Sequence, residues 1–406
     1  MHRRDFLASI AAAGAASLVA CRSQPPALPP GELLGTSLEI GHRLRERALP
    51  AASETRKVPV LIVGAGVGGL AAGWKLAQAG FADFLLVELE AAAGGNSRAG
   101  RNAVSAYPWG AHYLPLPTRE STAVRELLAE LGVLHGDLRA ARPRYDERHL
   151  CATPQERLYL DGRWQEGLLP LTGVGAGERD QYRRFADTME ALAQRRDASG
   201  RPAFALPMAL SSRDPDLLRL DRVSMRDWLL AQGFDSPQLH WYVNHACRDD
   251  YGTASAAVSA WAGIHYFASR SGEAENAASD TVLTAPEGNA WLTSGMLRSI
   301  EARVGQRLLT GALAFRVAGG ESGSGPLAVD LWLPGEQRTL RVLAEQLIWA
   351  APLFLVPWVF SGHARLKDAA RRYSYAPWLI ANLTLSQLPE ERSGAPLAWD
   401  NVLHRG

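Results

Sequence analysis

Apolar and polar positions are distributed unevenly along the chain, and the first clear pattern begins near residue 58. Val58 to Val63 is a β-branched apolar run of strand length, as expected for a strand covered on both faces. Leu70 to Ala79 is alanine-rich and long enough for a helix, with Trp74 interrupting its small-residue face and Gly80 placed to stop it. A second apolar run, Phe84 to Val87, follows. The order predicts a β–α–β unit.

Downstream the period changes. Ser121 to Leu131 is an amphipathic helix closed by Gly132, and Leu158 to Trp164 reads as a hairpin around Asp161-Gly162. Helices are expected over Asp180–Arg195, over Met225–Gln232 with a Ser224 cap and Gly233 stop, and over Ser236–Cys247. Arg248-Asp249-Asp250-Tyr251-Gly252 reads as a solvated loop, and Trp261 to Phe267 as aromatic bulk for a pocket or a core. Pro286–Asn289 precedes a helix over Ala290–Arg303, and Leu308–Val317 is a strand. Leu327–Leu333 and Thr339–Val342 form a hairpin, and Leu347–Pro352 an apolar strand returning beneath the first unit.

Glycines give the first unit its chemistry. Gly64, Gly66 and Gly69 make G-x-G-x-x-G where the strand should turn into the helix, and Glu88 ends the second strand nineteen residues past Gly69. Gly64 permits the tight turn, Gly66 lets a pyrophosphate approach bare backbone, and Gly69 allows close helix–strand packing. The helix start offers unpaired N–H groups and a positive dipole end to phosphates. Glu88 can accept both ribose hydroxyls and would repel a 2′-phosphate, which disfavours NADP. Pro59 is tolerable near a strand start. Six residues past Glu88 begins Gly94-Gly95-Asn96-Ser97-Arg98, a glycine pair that an NAD domain does not need and that the extended chain of FAD does, with an arginine nearby to offset charge.

With G-A-G-V-G-G-L, V-E-L-E and the glycine pair in this order, the chain resembles the flavin amine oxidase superfamily, which includes monoamine oxidases, phytoene desaturases and protoporphyrinogen oxidases. The resemblance runs from about Lys57 onward. It implies FAD contacts at Gly64, Gly66, Gly69, Glu88, Gly95 and Arg98. Asn96 stands where an arginine is common, so Arg98 would act from a shifted position. The resemblance further implies that a glycine-containing loop along the flavin ring corresponds to Trp109, Gly110 and His112; the residues alone equally fit a proline-bounded aromatic core turn. Ala314 is the position matching a strand that touches adenine through its backbone. Two departures stand out. Ala376 to Asn382, at a strand where many amine oxidases place a lysine near the flavin, contains none. The closing strand and helix with a Gly-Asp pair are also missing before Gly406, so a fragment, a frameshifted product or a degenerate copy is expected.

The fold class expected is thus α/β: a Rossmann-like FAD-binding domain with a second, mixed and largely helical substrate domain. The expected division is an export signal at 1–21, a linker at 22–56, the FAD-binding domain at 57–115 and 285–360, a substrate domain at 116–284, and the start of its returning segment at 361–406. A chain of 406 residues with 47% hydrophobic content supports two domains, and a net charge of +1 gives no basic field for nucleic acid. Arg3-Arg4-Asp5-Phe6-Leu7 followed by the apolar Ala8–Ala20 run resembles a twin-arginine export signal, and Leu18-Val19-Ala20-Cys21 a lipobox that would lipidate Cys21. That route carries folded proteins, which suits a cofactor loaded in the cytoplasm, and implies a periplasmic, membrane-anchored product. Pro25, Pro26, Pro29 and Pro30 mark a spacer, of which 35–44 can fold against the body. Cys151 and Cys247 can pair in an oxidising compartment or stay as buried thiols. No metal spacing occurs; His240, His245 and Cys247 read as ordinary helix residues.

The function expected is that of an FAD-dependent oxidoreductase. It would remove a hydride from an amine or apolar C–H substrate and pass electrons to oxygen or another acceptor, with no catalytic base identifiable. A flavin- or nucleotide-binding envelope protein without turnover, and an NAD-linked dehydrogenase built on the same unit, remain open.

Overall fold

The first apolar run forms a strand because it lies between two neighbours. In the computed structural model, which describes residues 30–46, 49–152, 155–319 and 325–404, β1 (Ala52–Val63) is twelve residues long. Its polar half, unrecognisable by hydropathy, is held by a parallel ladder to a distant strand, from Ala52↔Thr339 to Val63↔Trp349. The strand therefore starts inside the stretch expected to be spacer. Pro59 falls mid-strand, one residue before pairing with the second neighbour begins at Val60↔Phe84, so its missing N–H is not needed on that side.

The chain divides into two units, 1–39 and 40–406. Of the first, residues 30–37 are irregular and mostly exposed. The elements framing the site lie in the second. After β1 come α1 (Val67–Gln78), β2 (Phe84–Val87), β3 (Tyr113–Pro115) and α2 (Thr122–Glu130). Next are β4 (Glu156–Leu160), β5 (Arg163–Glu166), α3 (Ala176–Gln194), α4 (Met225–Ala231), α5 (Pro237–Tyr251) and α6 (Ala260–Ala268). The chain continues through β6 (Val282–Thr284), α7 (Ala290–Val304), β7 (Leu308–Leu309), β8 (Leu313–Ala318), β9 (Leu327–Leu333), β10 (Arg338–Trp349) and β11 (Asp400–Leu403).

A six-stranded mixed sheet runs β7-β2-β1-β10-β9-β8. The β7, β2, β1 and β10 strands are mutually parallel, while β9 pairs antiparallel with both β10 and β8. Side chains alternate across it. Leu61, Val63, Leu85 and Val87 join one apolar core with β8, β9 and β10. Ile62, Phe84 and Leu86 join the other, with Leu70 and Trp74 of α1 and Ile300 of α7. Each fully buried aliphatic or aromatic side chain stabilises the fold by roughly 1.5–3 kcal/mol, so covering both faces is what makes the continuous apolar run a central strand. A third core, with Phe185, Met225, Leu239, Val243 and Ile264, unites α3 to α6. A small sheet, β11-β4-β5, carries the Asp161-Gly162 turn at φ values of 48° and 85°.

Further sequence expectations change. Leu308–Val317 is two strands, because Gly311 at φ 65° turns the chain between the parallel β7 and the antiparallel β8. Thr339–Val342 and Leu347–Pro352 belong to one strand through Trp349, since a single ladder to β1 holds both. Arg248 to Tyr251 is the last turn of α5, closed by Gly252 in the left-handed region, and not a loop. Residues 376–382 form no strand; they are irregular and exposed, with Leu379 82% exposed, because no neighbour pairs with them. Cys151 and Cys247 are both buried free thiols.

Candidate functional site: a glycine-lined cradle at the sheet edge

The carboxyl ends of β1 and β2 meet at the glycines. Gly64 sits at φ 99°, its N–H donating to the Val87 carbonyl at 2.8 Å. A Cβ there would lie 2.8 Å from backbone atoms of Ala350 and Ala351, where the chain leaves β10. Gly66 is the N-cap of α1, which starts earlier than the hydropathy pattern indicates. Gly69 is buried in the first turn, and a Cβ on it would fall 1.8 Å from the Gly64 carbonyl oxygen. Any side chain would force helix and turn apart.

Glu88 is 8% exposed and faces this turn. Its Oε2 accepts the Ala65 N–H at 2.8 Å and its Oε1 the Glu90 N–H at 3.0 Å. Two backbone donors fix the carboxylate and leave each oxygen a further lone pair. The Glu88 carbonyl accepts the Ala312 N–H at 2.9 Å, and the Glu90 carbonyl the Gly311 N–H at 3.2 Å, which ties the start of β8 to the same strand end. Ala314 follows on β8, backbone-paired with Leu331 and with its side chain in the core.

The second glycine pair closes over the first. Gly94 donates to the Ala65 carbonyl at 2.8 Å, and Gly94 and Gly95 adopt φ values of 126° and 56°. A Cβ on Gly95 would lie 3.0 Å from Gly66 Cα, whereas one on Gly66 would meet nothing nearer than Gly95 Cα at 3.8 Å. Bare backbone therefore faces bare backbone.

Arg98 donates from Nε to the Gly95 carbonyl at 3.2 Å, lies 3.5 Å from a Glu90 carboxylate oxygen, and sits over the Trp109 ring at 4.8 Å. Its charge is thus partly balanced by Glu90, and it braces the loop. Trp109 donates its N–H to the Arg98 carbonyl at 3.0 Å, and Ala111 donates to the Asn96 carbonyl at 3.2 Å. Gly110 lets the two loops touch, since its Cβ would lie 2.7 Å from the Asn96 oxygen. The start of α7 docks on this loop: Asn289 donates from its backbone to the Ala111 carbonyl at 2.9 Å and from Nδ2 to the Tyr113 carbonyl at 2.8 Å. Trp109 Nε1 and Asn289 Oδ1 are buried and have no hydrogen-bond partner among the described residues, a polar donor and acceptor that a bound ligand could satisfy.

Beyond the loop, His112 stacks obliquely on Trp399 at 5.3 Å, and Tyr113 meets the same ring edge-on at 5.9 Å. They adjoin a cleft of about 250 Å³ lined by Pro108, His112, Thr284, Ala285, Pro286, Trp399 and Asp400. Nearby, Arg270 pairs with Asp250 at 2.5 Å and lies over Tyr266 at 4.0 Å, while its Nη1 reaches Tyr113 Oη at 3.4 Å. Burial raises the Tyr113 hydroxyl although the charge and hydrogen bond of Arg270 oppose it; desolvation lowers Arg270, but Tyr266, Tyr113 and Asp250 outweigh it and leave the guanidinium raised.

Gly64, Gly66, Gly69, Glu88, Gly95, Asn96, Arg98, Trp109 and Gly110 are linked by one chain of backbone and side-chain contacts, whereas Ala314 stands apart on β8. Sequence reasoning passed over Glu90, Asn289, Trp399 and Asp400. Glu90 carried a signal, being two residues past Glu88 and close to an arginine; the others carried none, because chain reversals bring them in.

A family model described as an NAD(P)-binding Rossmann-like domain matches residues 62–131. The fold is Rossmann-like. No curated protein sequence matches the chain. Among solved structures, putrescine oxidase bound to putrescine is similar at 20% identity and a TM-score of 0.56, covering 78% of this chain and 64% of that one. A CLA-producing fatty acid isomerase from P. acnes is similar at 17% identity and a TM-score of 0.53, covering 77% and 63%. Cyclohexylamine oxidase from Brevibacterium oxydans IH-35A is similar at 16% identity and a TM-score of 0.52, covering 78% and 63%. At these identities the likeness concerns the fold. The chain spans a little under two thirds of the length of these proteins. Among the described residues, no helix is long and apolar enough to cross a membrane, and no group of His, Cys, Asp and Glu could hold a metal ion. The expected export signal and Cys21 lie outside the described residues.

Proposed function

We propose that the chain is an FAD-dependent oxidoreductase whose cradle binds the dinucleotide and whose cleft beyond His112 receives the substrate. The observation that carries this reading is the Glu88 carboxylate, pinned by Ala65 and Glu90 N–H groups beside facing bare backbone at Gly66 and Gly95. Glu88 would hold an adenosine ribose, and the first turn of α1 the pyrophosphate. The second glycine loop favours FAD over NAD, since it supplies a bare wall where an extended pyrophosphate–ribityl chain would lie. Trp109 Nε1 and Asn289 Oδ1 offer a donor and an acceptor that a polar ring could use. When bound, flavin supplies acceptance of a hydride and its reoxidation by oxygen or another acceptor. The protein orients it and shields it from water. The substrate class we favour is an amine or an apolar molecule with an activated C–H bond, a reading supported by the oxidase names among the structural neighbours. Export by the twin-arginine route and anchoring through Cys21 complete the proposal.

The visible spectrum of the purified full chain tests it. Flavin bands that bleach anaerobically with an amine support the whole reading; bands that no substrate bleaches favour a binding protein without turnover. A protein that is free of flavin after reconstitution with FAD, and that binds NAD by calorimetry, supports the NAD-linked alternative suggested by the family model's description.

A further inference from the structure

Asp400, the first residue of the tail strand β11, lines the cleft together with the preceding Trp399. The β11 strand is an edge strand, paired in parallel with β4 from Asp400↔Glu156 to Leu403↔Tyr159. Asp400 donates its N–H to the Gln155 carbonyl at 2.9 Å, and His404 to the Tyr159 carbonyl at 3.0 Å. Arg157 adds a clamp, donating from Nε to Asn401 Oδ1 at 2.5 Å and from Nη1 to the Ala395 carbonyl at 2.9 Å. The first register pair, however, is Glu156 beside Asp400. Directly opposed like charges on neighbouring strands destabilise the pairing.

Among the described residues, the charges that act on Glu156 are all carboxylates. Asp280 from the approach to β6 and Asp249 from α5 also act on Glu156, and all three carboxylates push in the same direction as its burial. Tyr242 of α5 faces Glu156 as well, its hydroxyl raised to about 12 by burial and then by that carboxylate. The Cys151 thiol is raised to about 11 by burial and then by Asp400. Asp400 itself is exposed, as an edge strand is. The next residue back, Trp399, carries the ring that meets His112 and Tyr113. Releasing β11 would therefore remove both Trp399 and Asp400 from the cleft wall.

We propose that Glu156, in register beside Asp400, is a proton-operated latch: its protonated carboxyl keeps β11 seated and the cleft walled, and its ionisation next to Asp400 loosens the strand. Burial, then Asp400, Asp280 and Asp249, raise the Glu156 carboxyl from its usual 4.5 to about 7. For a carboxyl raised in the closed state, the stabilisation is complete below the ordinary value and is lost as pH rises through about 7. The latch does not rest on the flavin reading.

Hydrogen exchange of the full chain tests it. Protection factors for a peptide covering 399–404, corrected for intrinsic rates, are compared at pH 5.5 and pH 8.5. Protection should fall at least tenfold at the higher pH, while Glu156→Gln should hold it level and Asp400→Asn should make the fall smaller. Asp400→Asn, at an exposed position, keeps the test available if Glu156→Gln folds poorly. Equal protection at both pH values in the unaltered chain, a persisting drop in folded Glu156→Gln, an undiminished drop in folded Asp400→Asn, or lost protection at both pH values in both variants would each overturn the proposal.

Discussion

Gly66→Ala separates what the cradle needs for folding from what it needs for binding. The new Cβ would lie 3.8 Å from Gly95 Cα, an ordinary contact, and Gly66 already has φ −74° and extended ψ. Alanine at an N-cap costs about 1 kcal/mol relative to a good cap. The reduced freedom of the unfolded chain returns about 0.4–1 kcal/mol. The two nearly cancel, so the melting temperature should stay within about 3 °C, given about 2–4 °C per kcal/mol in chains somewhat smaller than this. Binding should respond differently. A methyl group in the channel against a pyrophosphate is an overpacked contact costing about 1–3 kcal/mol, roughly tenfold to a hundredfold in affinity. The assay is the ratio of flavin to protein absorbance after purification and after titration with FAD, alongside thermal melts followed by circular dichroism. Gly69→Ala is the contrast: its Cβ would stand 1.8 Å from the Gly64 oxygen. The resulting displacement outweighs the roughly 1 kcal/mol gained from helix propensity, so this variant should melt lower. Full flavin occupancy in Gly66→Ala, with an unaltered chain that binds flavin, would refute close approach of the ligand at Gly66.

Other variants reach other parts of the argument. Glu88→Gln presents an amide where the Ala65 and Glu90 N–H groups now meet carboxylate oxygens; it should weaken dinucleotide binding by about 1–3 kcal/mol in calorimetry, and unchanged affinity would remove Glu88 from the site. Asp330 is 3% exposed between Arg341 and Arg316. Burial raises its carboxyl, but the bonds and charges of those arginines outweigh that and leave it lowered. Its contribution is therefore present above the ordinary carboxylate range and lost as pH falls through the depressed value. Asp330→Asn should cost about 2–3 kcal/mol in neutral urea denaturation and flatten the acid limb of stability; an unchanged acid limb would contradict the assignment. Cys151 and Cys247 are buried, and desolvation raises their thiols to about 11 and about 12. Peptide mapping should find both unlabelled by iodoacetamide at pH 8 in the native protein and labelled after denaturation.

The turn chemistry was legible in the sequence because it is local. Gly64, Gly66 and Gly69 meet constraints set by residues a few positions away, and Glu88 arrives through one helix and one short strand. The asymmetry between Gly66 and Gly69 was not legible, since it depends on where Gly95 and the Gly64 carbonyl end up. Hydropathy found β2 to the residue but missed half of β1, whose polar residues 52–57 are strand only because β10, nearly 290 residues away, pairs with them. It split β10 for the same reason. Arg98 was visible as a charge near the glycine pair, but only packing commits it to Glu90 and Trp109. The cleft wall at Trp399 and Asp400 had no local signature at all. Short-range sterics and periodicity thus specified the βαβ unit and its glycines, whereas the partner of each buried charge and each unpaired backbone group was decided by long-range chain crossings that no local pattern encodes.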